Sequence, residues 1–236
     1  MDIDGTRVWA ARADSRLPPA SLVKLMTALL VAESGKPDAV VTIGASAAAA
    51  TGARLGLRQG DRVRVSALLA ATLIQSANDA CRALAQWQAG TETAFVASMN
   101  RRAAEWGLSG TSFADACGHD APGARTTARD LAVLANRVLD VPALATLVAT
   151  ERLDIRTEAG RVFHLATTNA LLGRVPGVRG VKTGYTPAAG MSVIVYAERD
   201  GARVLVVLLH ARDRWWDAAA MIERAFAAAP TPRRAP

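Results

Sequence analysis

Between Ala20 and Ala32 the chain reads ASLVKLMTALLVA, a stretch that is apolar on nearly every side. Leu22, Leu25, Met26, Leu29 and Leu30 recur at helical spacing, and Val23, Ala28, Val31 and Ala32 fill the opposite face. A helix without a polar face has no surface to lie on, so it belongs at the centre of the fold with other elements around it. Pro18 and Pro19 close the preceding turn and prepare the helix start. One residue breaks the apolar run: Lys24, the only charge between Arg16 and Glu33.

The remaining segments supply what surrounds such a helix. Thr6 to Ala13 and Val40 to Ile43 read as short strands, and TGARLGLRQGDRVRVS reads as a glycine-rich hairpin turning at Gln59 to Asp61. Ser66 is a candidate cap for the helix ALLAATLIQ. Helices are predicted over 80–88 and 93–106, and the stretch from Gly107 to Thr127 is turn-rich and aperiodic, a segment suited to crossing a groove. ARDLAVLANRVLD is an amphipathic helix, a short helix is predicted from Pro142 to Val148, and a hairpin turns about Ala159 and Gly160. MSVIVYAE and ARVLVVLLHA form a second hairpin, followed by a helix from about Trp215 to Ala228.

Sheet material thus lies at both ends and helices in the middle. This order predicts an α+β fold: an antiparallel sheet built from both termini, flanked by helices, with an inserted helical subdomain. The expected boundaries are a single domain over 1–229, with 1–43 and about 150–229 mainly sheet and 44–149 mainly helical, and a loose tail at 230–236.

The 236 residues, 51% hydrophobic and 21% charged, suffice for one large core or two small ones. Lys and Arg number 28 against 21 Asp and Glu, but the basic residues are scattered and aromatics are only 5%. A nucleic-acid platform needs clustered charge with aromatics between, so no nucleic-acid partner is expected. The net charge of +7 suits an anionic small substrate or an acidic polymer. No apolar run is long enough to span a bilayer, and the acidic start MDIDGTRVW does not read as a signal peptide. Cys81 and Cys117 make no disulfide framework by spacing and are equally consistent with small buried hydrophobes. His119, His164 and His210 share no spacing, so no metal is expected.

Three short motifs carry chemistry. Ser21 and Lys24 stand at i and i+3 on the buried helix. A lysine stripped of water loses basicity, and a neutral amine beside a hydroxyl can take its proton and turn serine into a nucleophile. The residues alone also allow a helix cap with a snorkelling lysine. QSANDA places Ser76 and Asn78 two residues apart after an apolar helix, as a proton relay and an amide that orients a substrate carbonyl, or as ordinary cap residues. GVKTGY brings Lys182 and Thr183, suited to a carboxylate, and Gly184, which leaves room for a close-lying substrate; an edge strand with a protective lysine is the alternative.

S-x-x-K, S-x-N and K-T-G in this order resemble the serine penicillin-interacting enzymes. PPASLVKLMTALL, LIQSANDAC, TTARDLA, TTNALL and GVRGVKTGYTPAAG are similar to the low-molecular-mass penicillin-binding proteins, the serine D-alanyl-D-alanine carboxypeptidases, from about Asp4 to about Phe226. The resemblance implies a beta-lactamase/transpeptidase-like fold in which Ser21 attacks the carbonyl between the last two D-alanines of a peptidoglycan stem peptide. It makes Lys24 the acylation base and lets Ser76, with Lys182, pass a proton to the leaving D-alanine. Asn78 orients the peptide, Lys182 and Thr183 hold its carboxylate, and the Ser21 and Tyr185 amides form an oxyanion hole beside Gly184. Beta-lactams are the implied covalent inhibitors, no cofactor is implied, and the implied location is periplasmic or otherwise extracytoplasmic.

Several features depart from that family. Tyr185 stands where many relatives have histidine, and no glutamate motif of a class A lactamase follows the middle helices. The family's outermost N-terminal strand, expected just before DIDG, is largely missing, which is expected to weaken the sheet edge, and APTPRRAP is no membrane anchor. A DD-endopeptidase, a weak beta-lactamase and a non-catalytic binder of wall peptide or penicillin remain alternatives. Arg212 and Arg214 are both candidates to assist carboxylate binding.

Overall fold

The apolar segment forms a 3-10 turn, Ala20–Val23, running into helix α1, Lys24–Ala32. Every residue of α1 from Lys24 to Val31 is buried, as a helix without a polar face requires. The computed structural model describes residues 2–3, 6–7 and 9–228. Five helices touch α1: α3 (Val65–Ile74), α4 (Asn78–Ala89), α5 (Glu92–Glu105), α6 (Ala128–Leu139) and α7 (Pro142–Val148). The first of these is more apolar than α1 and nearly as buried. A short helix α2, Ala45–Ala48, packs on α4.

The main sheet is antiparallel, in the order β7 (Val178–Thr186), β8 (Gly190–Arg199) and β9 (Ala202–Ala211). Alternation along β8 divides the protein into two cores. Ile194 faces the helical core around α1, whereas Val193 and Val195 face a smaller core closed by Ala218 and Ile222 of α8, Arg214–Ala227. Smaller ladders pair β1 (Asp2–Ile3) with β2 (Thr6–Arg7), β3 (Val40–Thr42) with β4 (Arg62–Arg64), and β5 (Arg152–Arg156) with β6 (Val162–Ala166).

Most expected elements are present, with local differences. Of the strand expected over Thr6 to Ala13, Thr6–Arg7 is strand and 9–13 is not, the chain turning at Arg12, whose φ is +53°; Val8 lies outside the described residues. Among the described residues β1 and β2 pair with each other, and the main sheet is formed by β7, β8 and β9. The glycine-rich stretch is not a hairpin of its own. Its Leu55, Gly56 and Leu57 amides donate to the Asp79 carboxylate, and only Arg62–Arg64 joins a ladder, with β3. Ser66 does not cap α3: Arg64 holds the cap position, and the Val65 and Ser66 amides donate to the Ala39 and Pro37 carbonyls. Cys81 and Cys117 are joined as a disulfide, with Cα atoms 5.9 Å apart. The expected tail at 230–236 lies outside the described residues.

Candidate active site

The 3-10 turn places Ser21 one turn before Lys24, and Lys24 Nζ lies 2.9 Å from Ser21 Oγ. Nζ also donates to Asn78 Oδ1 at 2.7 Å and to the Cys117 carbonyl at 2.5 Å. Lys24 is fully buried, and loss of water lowers its pKa to about 7, with the Asp115 charge acting the other way. A neutral amine has two hydrogens and one lone pair. Asn78 Oδ1 and the Cys117 carbonyl can only accept, so they take both hydrogens. The lone pair is then left for Ser21 Oγ, whose hydroxyl donates to it: the arrangement a general base needs.

Ser76 lies in the short connection between α3 and α4 with φ of +63°, a left-handed conformation uncommon for a residue with a side chain. That turn delivers its hydroxyl to Lys182, whose Nζ donates to Ser76 Oγ at 2.8 Å and to the Thr183 carbonyl at 3.0 Å. Lys182 is 1% exposed, and burial, then Lys24, then Arg214 push its pKa well below the usual lysine value. The Thr183 hydroxyl pairs with that of Thr168 at 2.6 Å.

Asn78 opens α4 and links the halves of the site. Its Nδ2 donates to the Thr51 carbonyl at 2.6 Å while its oxygen faces Lys24. Gly184 brings β7 against the nucleophile's turn: a Cβ there would lie 3.2 Å from both Ala20 Cβ and Leu22 Cγ. Tyr185, next along β7, is 61% exposed, so its ring faces solvent.

Residues 1–213 match the family described as D-alanyl-D-alanine carboxypeptidase, peptidase S11. The chain belongs to this carboxypeptidase family. It is 34% identical over 213 residues to the D-alanyl-D-alanine carboxypeptidase DacF of Bacillus subtilis, covering 88% of this chain and 54% of that protein. With DacB2 of Mycobacterium tuberculosis the identity is 30%, over 94% of this chain and 78% of the relative. Among solved structures, a D-alanyl-D-alanine carboxypeptidase from M. tuberculosis superposes with a TM-score of 0.90 at 28% identity, covering 98% of this chain and 90% of that one. The Streptomyces K15 DD-transpeptidase gives 0.89 at 30% identity, over 95% and 93%. The chain spans about half the length of the first curated relatives it matches, 54% and 55%. The fold is the α+β fold of these DD-peptidases.

Within this carboxypeptidase-family framework the residues picked from sequence converge. Ser21, Lys24 and Asn78 form one hydrogen-bonded group, and Ser76, Lys182 and Thr183 form another, with Gly184 and Tyr185 continuing β7 past the Ser21 turn. Of the two arginine candidates, Arg214 reaches the site: its Nη1 donates to the Gly184 and Ser192 carbonyls at 2.8 and 3.3 Å.

Four contributors went unassigned in the sequence. The Cys117 carbonyl takes a Lys24 hydrogen. Buried Asp79 accepts from the Leu55, Gly56 and Leu57 amides at 3.1, 2.9 and 3.0 Å, fixing the loop that supplies the Thr51 carbonyl. His119 lies against Asn78, and Asp115 holds His119 from the other side of its ring. The only sequence signal for Asp79 was its place in QSANDA, where cap vocabulary explained it equally well.

Proposed function

We propose that this protein is a serine-type D-alanyl-D-alanine carboxypeptidase acting through an acyl-enzyme on Ser21. The observation that carries the reading is the Lys24 amine, buried, near neutrality, with both hydrogens engaged and its lone pair left for Ser21. Ser21 Oγ loses its proton to Lys24 and attacks the carbonyl of the penultimate D-alanine of a peptidoglycan stem peptide. The Ser21 and Tyr185 amides face the developing oxyanion. As the C–N bond breaks, Ser76, backed by Lys182, gives its proton to the amine of the departing D-alanine and is reprotonated from Lys24, so the proton taken from Ser21 ends on the leaving group and Lys24 is neutral again. Asn78 orients the peptide, and Thr183 and Lys182 receive the terminal carboxylate, in a pocket made more positive by Arg214. Water, deprotonated through Lys24, then hydrolyses the ester and frees Ser21. Beta-lactams acylate the same oxygen.

Its place of action is the extracytoplasmic space that holds peptidoglycan, and the Cys81–Cys117 disulfide suits an oxidising compartment. Among the described residues no single helix is long and apolar enough to cross a membrane.

The test is covalent labelling by a fluorescent penicillin, read on a denaturing gel beside Ser21→Ala. Label on the folded wild-type chain and none on the variant supports the reading; none on either, with both folded, overturns it. Incubation with a stem pentapeptide and with a cross-linked dimer then separates products. Free D-alanine without cross-link cleavage marks a carboxypeptidase, and cleaved cross-links mark an endopeptidase.

A further inference from the structure

The proposed reaction makes no use of His119, which lies against Asn78, or of Asp115, which holds it. Asp115 sits in the turn-rich segment, 16% exposed at its side chain, and accepts four N–H groups. Oδ1 takes the Cys117 and Gly118 amides at 3.1 and 2.5 Å; Oδ2 takes the His119 amide at 3.2 Å and His119 Nδ1 at 2.5 Å. The other ring nitrogen, His119 Nε2, lies 3.2 Å from Asn78 Nδ2. An amide nitrogen only donates, so Nε2 is the acceptor and the ring proton sits on Nδ1, toward Asp115.

We propose that Asp115 and His119 are a positioning pair for the acylation site, holding the Asn78 carboxamide with its oxygen toward Lys24 and releasing it when His119 takes a second proton. The inference rests on Lys24 and Ser21 acting as base and nucleophile.

The reasoning is one of donors and acceptors. A carboxamide can sit in either of two flipped orientations, and its neighbours choose. Here Nδ2 has two acceptors, the Thr51 carbonyl and neutral His119 Nε2, which leaves Oδ1 for Lys24. Protonated His119 carries a hydrogen on Nε2. It opposes the Asn78 amino group and competes for the Thr51 carbonyl, whose backbone contact favours the charged ring. The flipped amide then satisfies the ring, but turns its own N–H toward the Lys24 lone pair and takes that pair from Ser21.

The charged groups facing His119 are Asp115 on its own segment and Lys24 on α1. The hydrogen bond to Asp115 raises the histidine pKa above its ordinary value, against burial and the Lys24 charge. Asp115 also raises Lys24. Both protons therefore leave along the same rising limb of an acylation profile, and the site works above it.

The experiment combines two readouts on the full chain. Imidazole nitrogen shifts from a 15N-labelled sample are expected to show Nδ1 protonated and Nε2 bare in the neutral ring. In Asp115→Asn the histidine midpoint falls. Acylation by fluorescent penicillin against pH is expected to lose two protons along its limb in the wild type and one in His119→Gln. Glutamine offers Asn78 an acceptor that does not titrate, so that variant keeps the wild-type rate on the alkaline plateau. His119→Leu offers none and acylates about tenfold more slowly, the worth of one buried hydrogen bond. Asp115→Asn moves the limb to lower pH. A neutral ring protonated on Nε2, or His119→Leu with the wild-type rate and limb, overturns the proposal. A folded wild-type chain that takes no penicillin sinks the proposed function instead, while the imidazole shifts still decide whether the pair is arranged as argued.

Discussion

Gly118 lies so close to Ala20 that a Cβ built on it would sit 2.0 Å from the Ala20 carbonyl oxygen and 2.7 Å from the Ser21 amide nitrogen. Its φ of +89° is also one that side chains avoid. Ala20 itself has φ of +47°, so the backbone carrying the nucleophile is already in an uncommon conformation and cannot easily yield. Gly118→Ala is expected to cost about 2–4 kcal/mol through overpacking and backbone strain together, and to abolish penicillin labelling. Thermal unfolding and gel labelling check this; a variant with the wild-type melting point and label would show that the contact is slack.

What was legible in the sequence, and what was not, follows from how each role is encoded. A nucleophile, its base and a carboxylate site require particular residue types, so Ser21, Lys24, Ser76, Asn78 and Lys182–Gly184 stand out by type and local spacing. The central helix was readable because burial on every side leaves only apolar letters, and the β8–β9 hairpin because its apolar runs flank a short turn. Asp115, His119 and the Cys117 carbonyl act on Lys24 and Asn78 from segments 41 to 93 residues away, and a linear reading cannot see such contacts. The glycine-rich stretch misled for a related reason: its amides take a carboxylate on α4, not a neighbouring strand.

Asp79 is expected to be structural at the level of stability and functional only through Asn78. Its carboxylate is the partner of three consecutive loop amides, and the same loop provides the Ala53 carbonyl for the Asn78 amide at 2.7 Å. Asp79→Ala removes the partner of all three amides, of which Leu57's is buried, and should cost about 2 kcal/mol, whereas Asp79→Asn, which keeps one acceptor oxygen, should cost less. Denaturant midpoints measure both. Equal losses in the two variants would mean that packing, not hydrogen bonding, holds the loop.

Lys182 provides a test by proton uptake. Burial, and with it Lys24 and Arg214, depress its pKa, so an incoming carboxylate, which favours the charged form, draws a proton from solution. Titration of Ser21→Ala with an acylated D-alanyl-D-alanine peptide at about pH 8 should give heats that depend on the buffer's ionisation enthalpy, with net uptake by the protein. The added Lys182→Met substitution should remove that dependence. Buffer-independent heats in the parent variant would place the carboxylate elsewhere.

The disulfide joins the two acceptors that fix Lys24. Cys117 provides one of them through its carbonyl, and Cys81 lies one helical turn beyond Asn78, which provides the other. The bridge closes a segment with a separation of 36 residues, for which loop entropy gives about 2–4 kcal/mol of stabilisation. Both half-cystines are buried, so reduction requires the chain to open first, and the effect of a reductant should develop slowly under native conditions. Once reduced, the Cys117 carbonyl is held mainly by the Asp115 turn, Lys24 Nζ gains freedom to rotate, and its lone pair spends less time on Ser21. Cys81→Ala/Cys117→Ala is therefore expected to unfold at lower denaturant than the oxidised wild type, to acylate more slowly, and to be indifferent to reductant. Denaturation and penicillin labelling with and without reductant read all three. Should the oxidised and reduced wild-type chains share one midpoint and one acylation rate, the bridge contributes neither stability nor alignment.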